Sequence, residues 1–451
     1  MSIQLADIGK AVIETQYAVR GPVVARAQEL ERAGRRIIYC NIGNPQALGQ
    51  APLSWTRRLL ALCEYPGLAT AAPGAFPADA VDAAKALISG SKHGVGAYSE
   101  SKGLKVVRDA VAAFIERRDG VAADPDAIYL TDGASKGVQA ALRLLLAGPN
   151  DGIMIPIPQY PLYSATITMY EGRQVPYYLD EEHDWALSRD MLEEAIAKAE
   201  AAGVRTKAIV VINPGNPTGS VLRPDNVKMV IRFAKEHGLS ILADEVYQDN
   251  IYRDGDRFES FAKAMAELGE TGVTLFSFHS TSKGYLGECG QRGGYMEVRN
   301  VGSEVMAQIL KMQSVSLCAN LPGQVALYSL VSPPPADGPS RPEYDRERSA
   351  ILGELRERAR LLADGLNAIP GFRCNAVAGA MYAFPRLELP AGKTDEDWCM
   401  ALLERKGICV VPGAGFGQLP GSAHFRTTIL PPRDQLAEVV AAIAAFNAEY
   451  R

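Results

Sequence analysis

Short apolar segments and helix-like segments alternate along the middle of the chain, and this alternation is the strongest constraint on its fold. The strand-like runs are DAIYLTDG, DGIMIPIP, VPYYLD, KAIVVIN, SILADEV and VTLFSFHS. Helical patterns such as SKGVQAALRLLLAG and RPDNVKMVIRFAKEHG lie between them. Strands that alternate with helices of about a dozen residues are typical of a mostly parallel sheet with helices on both faces. The sequence therefore predicts an α/β fold.

Polar segments follow four of these strand-like runs. They are TDGAS, NPGNPTG, DEVYQ and HSTSK. Because parallel strands end at the same edge of a sheet, the four segments should lie side by side. Open α/β sheets bind their ligands at that edge, so we expect the functional site there.

The two ends of the chain lack this alternation. A Pro-rich segment at 332–344 precedes a long charged helix predicted over about 343–368, short strands and a terminal helix from Arg433. The first 80 or so residues have no regular strand–helix pattern, so we expect them to pack with the C-terminal part. We predict three parts: an N-terminal arm with part of a small domain at 1–85, a large domain at 86–331, and a small C-terminal domain at 332–451.

The composition excludes several classes of function. Lys and Arg number 47 against 52 Asp and Glu, which argues against a nucleic-acid or anionic-membrane binder. No run approaches the roughly 18 apolar residues of a membrane span, and the N-terminus lacks the apolar region of a secretory signal. The seven cysteines form no CxxC pair and the five histidines lie far apart, so we expect reduced thiols and no metal site. These features predict a cytoplasmic protein.

Two short patterns also occur in serine enzymes. GASKG matches G-x-S-x-G, and STSK matches S-x-x-K. The first comes without an HGGG-type oxyanion loop and the second without a K-T-G or S-D-N partner, and patterns this short recur by chance. GASKG fits an anion cradle better, because a helix that opens at Ala134 and Ser135 would direct free N–H groups towards a phosphate. A simple helix N-cap at Ser135 is the alternative for this segment alone.

Three charged residues accompany the cradle at the strand ends. Asp244 ends SILAD, Lys283 follows TLFSF, and Arg292 lies in the glycine-rich GECGQRGG. A buried carboxylate needs a cationic or N–H partner, and a desolvated lysine is a nucleophilic amine. In isolation they could be a salt-bridged aspartate, a solvated lysine and a surface arginine. Together, an anion cradle, a carboxylate, a lysine and an arginine are what pyridoxal phosphate (PLP) requires.

Segments from about residue 39 to residue 432 match a pattern found in a known family. They are CNIGNPQALGQ, GAYSESKG, YLTDGAS, IPIPQYPLYSA, YYLDEE, VINPGNPTG, LADEVYQDNIY, SFHSTSKGYLGECGQRGGY, GAMYAFPR, ICVVPGAGFGQ and HFRTTILPP. On these segments the chain resembles the fold-type I, class I PLP-dependent aminotransferases, especially alanine and glutamate:glyoxylate aminotransferases. The resemblance implies a large domain with a mostly parallel sheet flanked by helices, and a smaller α/β domain formed from both termini.

The resemblance implies three catalytic residues. Lys283 would hold the cofactor aldehyde as a Schiff base and, once released, shuttle a proton between the substrate Cα and the cofactor C4′. Asp244 would pair with the pyridine nitrogen, so that the ring can accept electrons. Tyr247, together with Asn216, would hydrogen-bond the phenolic oxygen of the ring. On pattern alone, the alternative for Tyr247 is a core aromatic residue.

The resemblance also implies the contacts that hold cofactor and substrate. Tyr160 would stack on the ring, although it too could be a core aromatic. Arg426 would bind the substrate α-carboxylate through two parallel hydrogen bonds; Gly43, in a loop that closes over the substrate, and Asn216 complete that site. The residues expected around the phosphate are Ala134, Ser135, Ser280, Ser282 and Arg292, with Tyr98 reaching over from a partner subunit and Asn320 as a weaker candidate.

The functional prediction is a homodimeric aminotransferase. It would transfer an amino group between alanine and 2-oxoglutarate in a ping-pong cycle, giving pyruvate and glutamate, with glyoxylate as another acceptor. The alternatives are a glutamate:glyoxylate aminotransferase and a PLP-dependent lyase or β-replacement enzyme on the same fold. A PLP-binding regulator is disfavoured, because neither end carries a basic helix-turn-helix segment. We recognise no counterpart of the arginine by which aspartate aminotransferases bind a side-chain carboxylate.

Overall fold

The N-terminal part of the molecule is mostly helical. The computed structural model describes residues 2–17, 20–91 and 93–450, so the outer limits of the predicted parts, residues 1 and 451, lie outside the described ranges. The elements of this part are α1 (Lys10–Glu14), α2 (Pro22–Arg32), β1 (Ile38–Tyr39), α3 (Ser54–Glu64), α4 (Leu68–Ala71), α5 (Ala78–Ser91) and α6 (Lys105–Asp119).

A seven-stranded sheet forms the centre of the fold, in the order β2-β8-β7-β6-β5-β3-β4. Strand β8 is antiparallel to both of its neighbours, whereas β3, β4, β5, β6 and β7 pair in parallel. The prediction of an α/β fold with a mostly parallel sheet is confirmed. The strands are β2 (Ile128–Asp132), β3 (Asp151–Ile157), β4 (Arg173–Tyr178), β5 (Arg205–Ile212), β6 (Ser240–Asp244), β7 (Leu275–Ser280) and β8 (Gly293–Arg299).

Helices cover both faces of this sheet, because each central strand is apolar on both sides. Ile241 and Ala243 face one helical layer and Leu242 faces the other, as the alternation of side chains along a strand requires. The helices are α7 (Ala134–Leu145), α8 (Leu162–Met169), α9 (Arg189–Ala201), α10 (Pro224–Glu236), α11 (Phe261–Leu268), α12 (Ser303–Val315) and α13 (Leu321–Val331).

The C-terminal part has its own hydrophobic core, which includes residues from the start of the chain. Its elements are α14 (Arg341–Asn367), β9 (Phe372–Arg373), β10 (Tyr382–Ala383), β11 (Arg386–Leu387), α15 (Asp395–Lys406), β12 (Ile408–Cys409), β13 (Val411–Pro412), β14 (Phe425–Thr428) and α16 (Arg433–Tyr450). Val23, Val24 and Ala27 of α2 pack in this core, and Ile38 of β1 pairs in parallel with Ile408 of β12. Helices α3 and α5 instead pack near α6 and α13. The domain limits at 85/86 and 331/332 stay a prediction.

Two further properties concern possible associations of the chain. Within the described ranges, no helix is both long enough and apolar enough to cross a membrane. The seven cysteines are free; Cys289 and Cys318 are half-buried and the others are buried.

Candidate active site

A cavity of about 660 Å³ opens where β2, β5, β6 and β7 end. It lies at the sheet edge at which the sequence predicts a site, and residues from both ends of the chain complete its walls. Among the predicted site residues, those that line the cavity are Gly43, Ala134, Ser135, Tyr160, Asn216, Asp244, Tyr247, Ser280, Ser282, Lys283, Arg292 and Arg426.

Lys283 projects its amine into this cavity three residues after β7 ends. Its Nζ donates a hydrogen bond of 2.6 Å to the carbonyl oxygen of Gly43, which lies in the segment after β1. A Cβ atom at position 43 would collide with the hydroxyl of Tyr382 and approach Nζ to 3.1 Å. The close approach of this backbone therefore requires glycine at position 43. Among the described residues, the carbonyl of Gly43 is the hydrogen-bond partner of the lysine amine.

Asp244 is the last residue of β6, and its carboxylate is buried in the cavity floor. Its Oδ2 accepts a hydrogen bond of 2.8 Å from the hydroxyl of Tyr163. Burial raises the pKa of Asp244 to about 6, against the opposing effect of the Tyr163 hydrogen bond. In the described part of the chain no Lys or Arg nitrogen lies within 4 Å of this carboxylate. A buried carboxylate without a cationic neighbour fits a ligand that brings a positive charge, such as a protonated ring nitrogen.

Arg426 shows the opposite imbalance, a buried cation without a carboxylate. Only 1% of the residue is exposed, and its guanidinium lies between the rings of Tyr382 and Phe416, at 4.3 and 4.6 Å from their centroids. It donates to Asn216 Oδ1 at 3.2 Å and to the carbonyl oxygen of Asn41 at 2.6 Å. Its Nε has no hydrogen-bond partner among the described residues. This arrangement fits an anionic ligand, and the guanidinium fork matches a carboxylate.

The N-terminus of α7 and Arg292 form a second anion-binding region. Gly133 precedes α7 with φ 75° and provides no capping side chain, so the amides of the first helical turn remain directed at the cavity. A Cβ atom on Gly133 would collide with the guanidinium of Arg292. Arg292 Nη1 donates to Ser282 Oγ at 3.4 Å. This cradle, together with Lys283 and Asp244, fits the phosphate, aldehyde and ring nitrogen of PLP.

Three further polar side chains connect the two charged regions of the cavity. Asn216 Nδ2 donates to the hydroxyl of Tyr247 at 3.4 Å, and the Tyr247 hydroxyl donates to that of Tyr382 at 3.5 Å. Burial acts to raise the pKa of Tyr382, but the positive charges of Lys283 and Arg426 outweigh it, so the pKa is lowered from its ordinary value. Tyr382 and the Asp244-binding Tyr163 were not among the predicted site residues. Both lie within matching segments, GAMYAFPR and IPIPQYPLYSA, but their pattern there does not differ from that of core aromatics.

Tyr160 also contacts the N-terminal segment, whereas Tyr98 and Asn320 lie outside the cavity wall. The hydroxyl of Tyr160 is 2.7 Å from that of Tyr17, which belongs to the N-terminal segment. Tyr98 is 77% exposed and is absent from the cavity wall. Asn320 caps α13 by accepting from Gly323 N at 2.6 Å and donates to Asp132 Oδ1 at 2.7 Å. The structure thus gives Asn320 a role in joining α13 to the end of β2.

Comparison with known proteins gives a consistent result over nearly the whole chain. The profile of the family Aminotransferase class I and II matches residues 64–443. Glutamate–glyoxylate aminotransferase 1 of Arabidopsis thaliana is 46% identical over 98% of this chain and 95% of its own. Mitochondrial alanine aminotransferase 1 of the same plant is 46% identical over 100% and 87%. The solved alanine aminotransferase of Pyrococcus furiosus superimposes with a TM-score of 0.82, at 28% identity, over 98% of this chain and 100% of that one.

Proposed function

Because the chain belongs to the class I and II aminotransferases, a PLP-dependent family, we propose that it transfers an amino group between alanine and 2-oxoglutarate. The products in that direction are pyruvate and glutamate. The relatives named as alanine and glutamate–glyoxylate aminotransferases support this choice, and they support glyoxylate as another acceptor. One observation carries the proposal: a buried arginine without a carboxylate partner, Arg426, shares a cavity with an available lysine amine, Lys283.

Each residue of the cavity would have a defined task in this reaction. Bound PLP supplies an electron-withdrawing ring that makes the substrate Cα–H acidic. Asp244 would hold a proton on the ring nitrogen, because an ionised carboxylate favours the charged form of a group beside it. Lys283 Nζ would move a proton from the substrate Cα to the cofactor C4′ in the first half-reaction and in the opposite direction in the second. The first turn of α7 and Arg292 would bind the phosphate.

Arg426 would position the substrate by its α-carboxylate, which every amino and keto acid substrate carries. The rings of Tyr382 and Phe416 exclude water from the two faces of the guanidinium, and hydrogen bonds to a charged group are stronger where water is excluded. Asn216 holds one edge of the guanidinium and also contacts Tyr247. The same asparagine would therefore keep the substrate-binding and cofactor-binding groups in register.

We extend the proposal to a homodimer in which Tyr98 reaches the active site of the neighbouring subunit. Tyr98 is 77% exposed, and other large apolar side chains such as Val315 and Leu317 are 83% and 52% exposed, which supports a covered surface in the assembled protein. Analytical ultracentrifugation should give the mass of a dimer. Tyr98→Ala should weaken PLP binding while the protein still sediments as a dimer. A monomeric holoenzyme would contradict this part of the proposal.

We also propose a cytoplasmic location. Relatives named without an organelle, such as glutamate–glyoxylate aminotransferase 1 of Arabidopsis thaliana, are compatible with it, whereas another plant relative is named as mitochondrial. Fractionation of the source cells, with the activity recovered in the cytosolic fraction, is the test; recovery in an organelle or membrane fraction would contradict it.

A panel of amino donors and keto acid acceptors tests the reaction itself. The purified holoenzyme should convert alanine and 2-oxoglutarate into pyruvate and glutamate, and should run in reverse. If glutamate and glyoxylate react much faster than this pair, the glutamate:glyoxylate alternative is correct. If an amino acid with a leaving group on Cβ, such as serine, yields keto acid and ammonia without any acceptor, the lyase alternative is correct.

A further inference from the structure

Three arginines line the cavity, and one of them has no part in the proposed chemistry. Arg292 contacts the phosphate region through Ser282, and Arg426 is held by Asn216 and Asn41. Arg20 also lines the cavity, where it is exposed. Among the residues that the structure describes, no Asp or Glu oxygen lies within 4 Å of its guanidinium. Arg20 is therefore a cation at the mouth without a counter-charge in the described ranges.

The position of Arg20 is set by the N-terminal segment, which forms one wall of the mouth. The next residues of this wall are Val24 and Gln28 on α2, at intervals of four residues, so a single helix face is directed at the cavity. The Tyr17–Tyr160 hydroxyl contact of 2.7 Å joins the segment to another residue of the cavity wall. The arginine is thus placed beside the space where a substrate side chain would extend.

The one carboxylate in the same wall has a different partner. Glu31 lines the cavity and accepts a hydrogen bond of 2.9 Å from the hydroxyl of Tyr39. Glu31 forms no ion pair with Arg20 within 4 Å. The positive charge at the mouth therefore remains available to an anion that enters from solution.

We propose that Arg20 binds the distal carboxylate of dicarboxylic substrates, that is, of glutamate and 2-oxoglutarate. The inference rests on the proposed function and assigns the residue that recognises its second class of substrate. Arg426 would bind the α-carboxylate in the buried part of the cavity, and Arg20 would bind the carboxylate at the other end of the substrate. The guanidinium geometry suits a carboxylate in both places.

The exposure of Arg20 explains how one site can accept substrates with and without a second carboxylate. A buried arginine would be left without a partner when alanine is bound, at a large cost in free energy. An exposed arginine is hydrated in that case and loses nothing. The same exposure limits its contribution, so we expect about a tenfold effect on the dicarboxylic substrates.

The first test measures the two half-reactions of the holoenzyme separately. Arg20→Gln should lower kcat/KM for glutamate and 2-oxoglutarate about tenfold, and leave alanine, pyruvate and glyoxylate within about twofold. Arg20→Lys should recover part of the loss, because it keeps the charge without the fork. The matched control is Arg32→Gln, which removes the same charge from the end of α2 at a position outside the cavity wall. It should leave both half-reactions unchanged.

The second test measures binding without turnover. Glutarate and valerate have the same chain length, but only glutarate has a second carboxylate. Calorimetric titration of the holoenzyme should show that Arg20→Gln weakens glutarate and leaves valerate unchanged. The inference is overturned if Arg20→Gln lowers alanine and glutamate kinetics equally, or if glutarate affinity is unaffected. A wild-type enzyme that fails to use alanine with 2-oxoglutarate would refute the proposed function instead, and the glutarate–valerate comparison would still decide the role of Arg20.

Discussion

Two buried charge clusters lie on opposite sides of the end of β6, and neighbouring residues contribute to them. The carboxylate of Asp244 faces the cavity, where it contacts the hydroxyl of Tyr163. Glu245, the next residue, is directed to the other side, towards Arg118 of α6. Both carboxylates are nearly inaccessible to solvent, at 5% and 2% exposure. Burial alone therefore does not distinguish them.

The protein itself supplies both the hydrogen-bond donors and the cation beside Glu245. Glu245 accepts hydrogen bonds from the amide of Phe261 at 3.0 Å and from the hydroxyl of Ser277 at 2.7 Å. Arg118 forms an ion pair of 2.6 Å with Asp119 and lies 3.9 Å from Glu245. These contacts join α6, β7 and α11 to the end of β6, as expected for a cluster that stabilises the fold.

The cavity cluster is incomplete by comparison. Among the described residues, Asp244 forms no ion pair within 4 Å, although the charge of Lys283 acts on it, and Arg426 has no carboxylate within 4 Å. Buried charges of this kind are costly unless a bound molecule completes them. A buried charge without an ion-pair partner points to a ligand site, whereas an equally buried carboxyl group whose cation and hydrogen-bond donors are supplied by the protein points to a structural role.

The largest effect should come from Lys283→Ala. Because this removes the amine that carries the Cα proton, turnover should fall roughly 10⁴-fold or more, and the visible absorbance of the bound cofactor should be lost. Assays of purified protein and absorption spectra check this. Lys136→Ala, which changes an exposed lysine on α7, is the control and should behave as wild type. Normal turnover in Lys283→Ala would show that the lysine has no part in the chemistry.

The next largest effect should come from Asp244→Asn. Its amide cannot keep a proton on the ring nitrogen by charge, so kcat should fall on the order of 10²-fold, equivalent to roughly 3 kcal/mol of barrier. Steady-state kinetics at saturating substrate provide the measurement. A loss below about tenfold would assign Asp244 to the structural class together with Glu245, and the comparison between the two clusters would fail.

Arg426→Lys should have a smaller effect, of about 10- to 100-fold on kcat/KM. A lysine keeps the charge but lacks the fork that matches a carboxylate. Stopped-flow measurement with alanine and with 2-oxoglutarate should show equal losses, because both carry an α-carboxylate. If only the 2-oxoglutarate half-reaction suffers, Arg426 binds the distal carboxylate instead.

Glu245→Gln should have the smallest effect on turnover, within about twofold. The substitution should instead change how the free energy of unfolding depends on pH. Burial raises the pKa of Glu245 to about 7, against the lowering effect of Arg118, whereas an unfolded glutamate has its ordinary pKa of about 4.3. The native state therefore favours the protonated form, and the stability from this group is present below about pH 4.3 and lost as pH rises through about 7.

Urea unfolding at pH 5 and pH 8 provides the measurement for this variant. The free energy of unfolding of the wild type should fall between these pH values relative to that of Glu245→Gln, by about 2–3 kcal/mol. Equal pH dependence in the two proteins would mean that Glu245 does not change its protonation on folding. A large loss of turnover would mean that the far cluster also serves the chemistry.

Most strands of the central sheet can be predicted from the apolar pattern of the chain, but one strand cannot. The sheet strands β2 to β7 coincide with the predicted strand-like runs, because buried parallel strands are apolar on both faces. Strand β8 was not predicted. Its first residues, Gly293 and Gly294, belong to the glycine-rich stretch that is typical of a ligand-binding loop, and only a single 3-10 turn (Cys289–Gln291) lies between β7 and β8. A short antiparallel return of this kind has no signal in a strand–helix alternation.

Some residues of the candidate site can be predicted from a local sequence pattern, and others cannot. Residues at or just beyond strand ends, such as Asp244 and Lys283, can be predicted because they come after an apolar run. Tyr382 and Arg20 come from the two ends of the chain and reach the cavity only through packing between distant segments. No local spacing connects them to the sheet edge. Their roles could be inferred only after their neighbours in space were known.

The pairing of β1 with β12 has a consequence for how the molecule is made. Ile38 and Ile408 are partners, yet most of the polypeptide must be synthesised between them. The strands of the central sheet are all translated before residue 300 and can begin to fold on the ribosome, since domains generally fold as units during synthesis. Gly43 and Arg20, which accompany β1, can take their final places only after β12 has emerged. We therefore expect a nascent chain truncated before residue 408 to acquire structure in its sheet but to gain activity only at the end of translation.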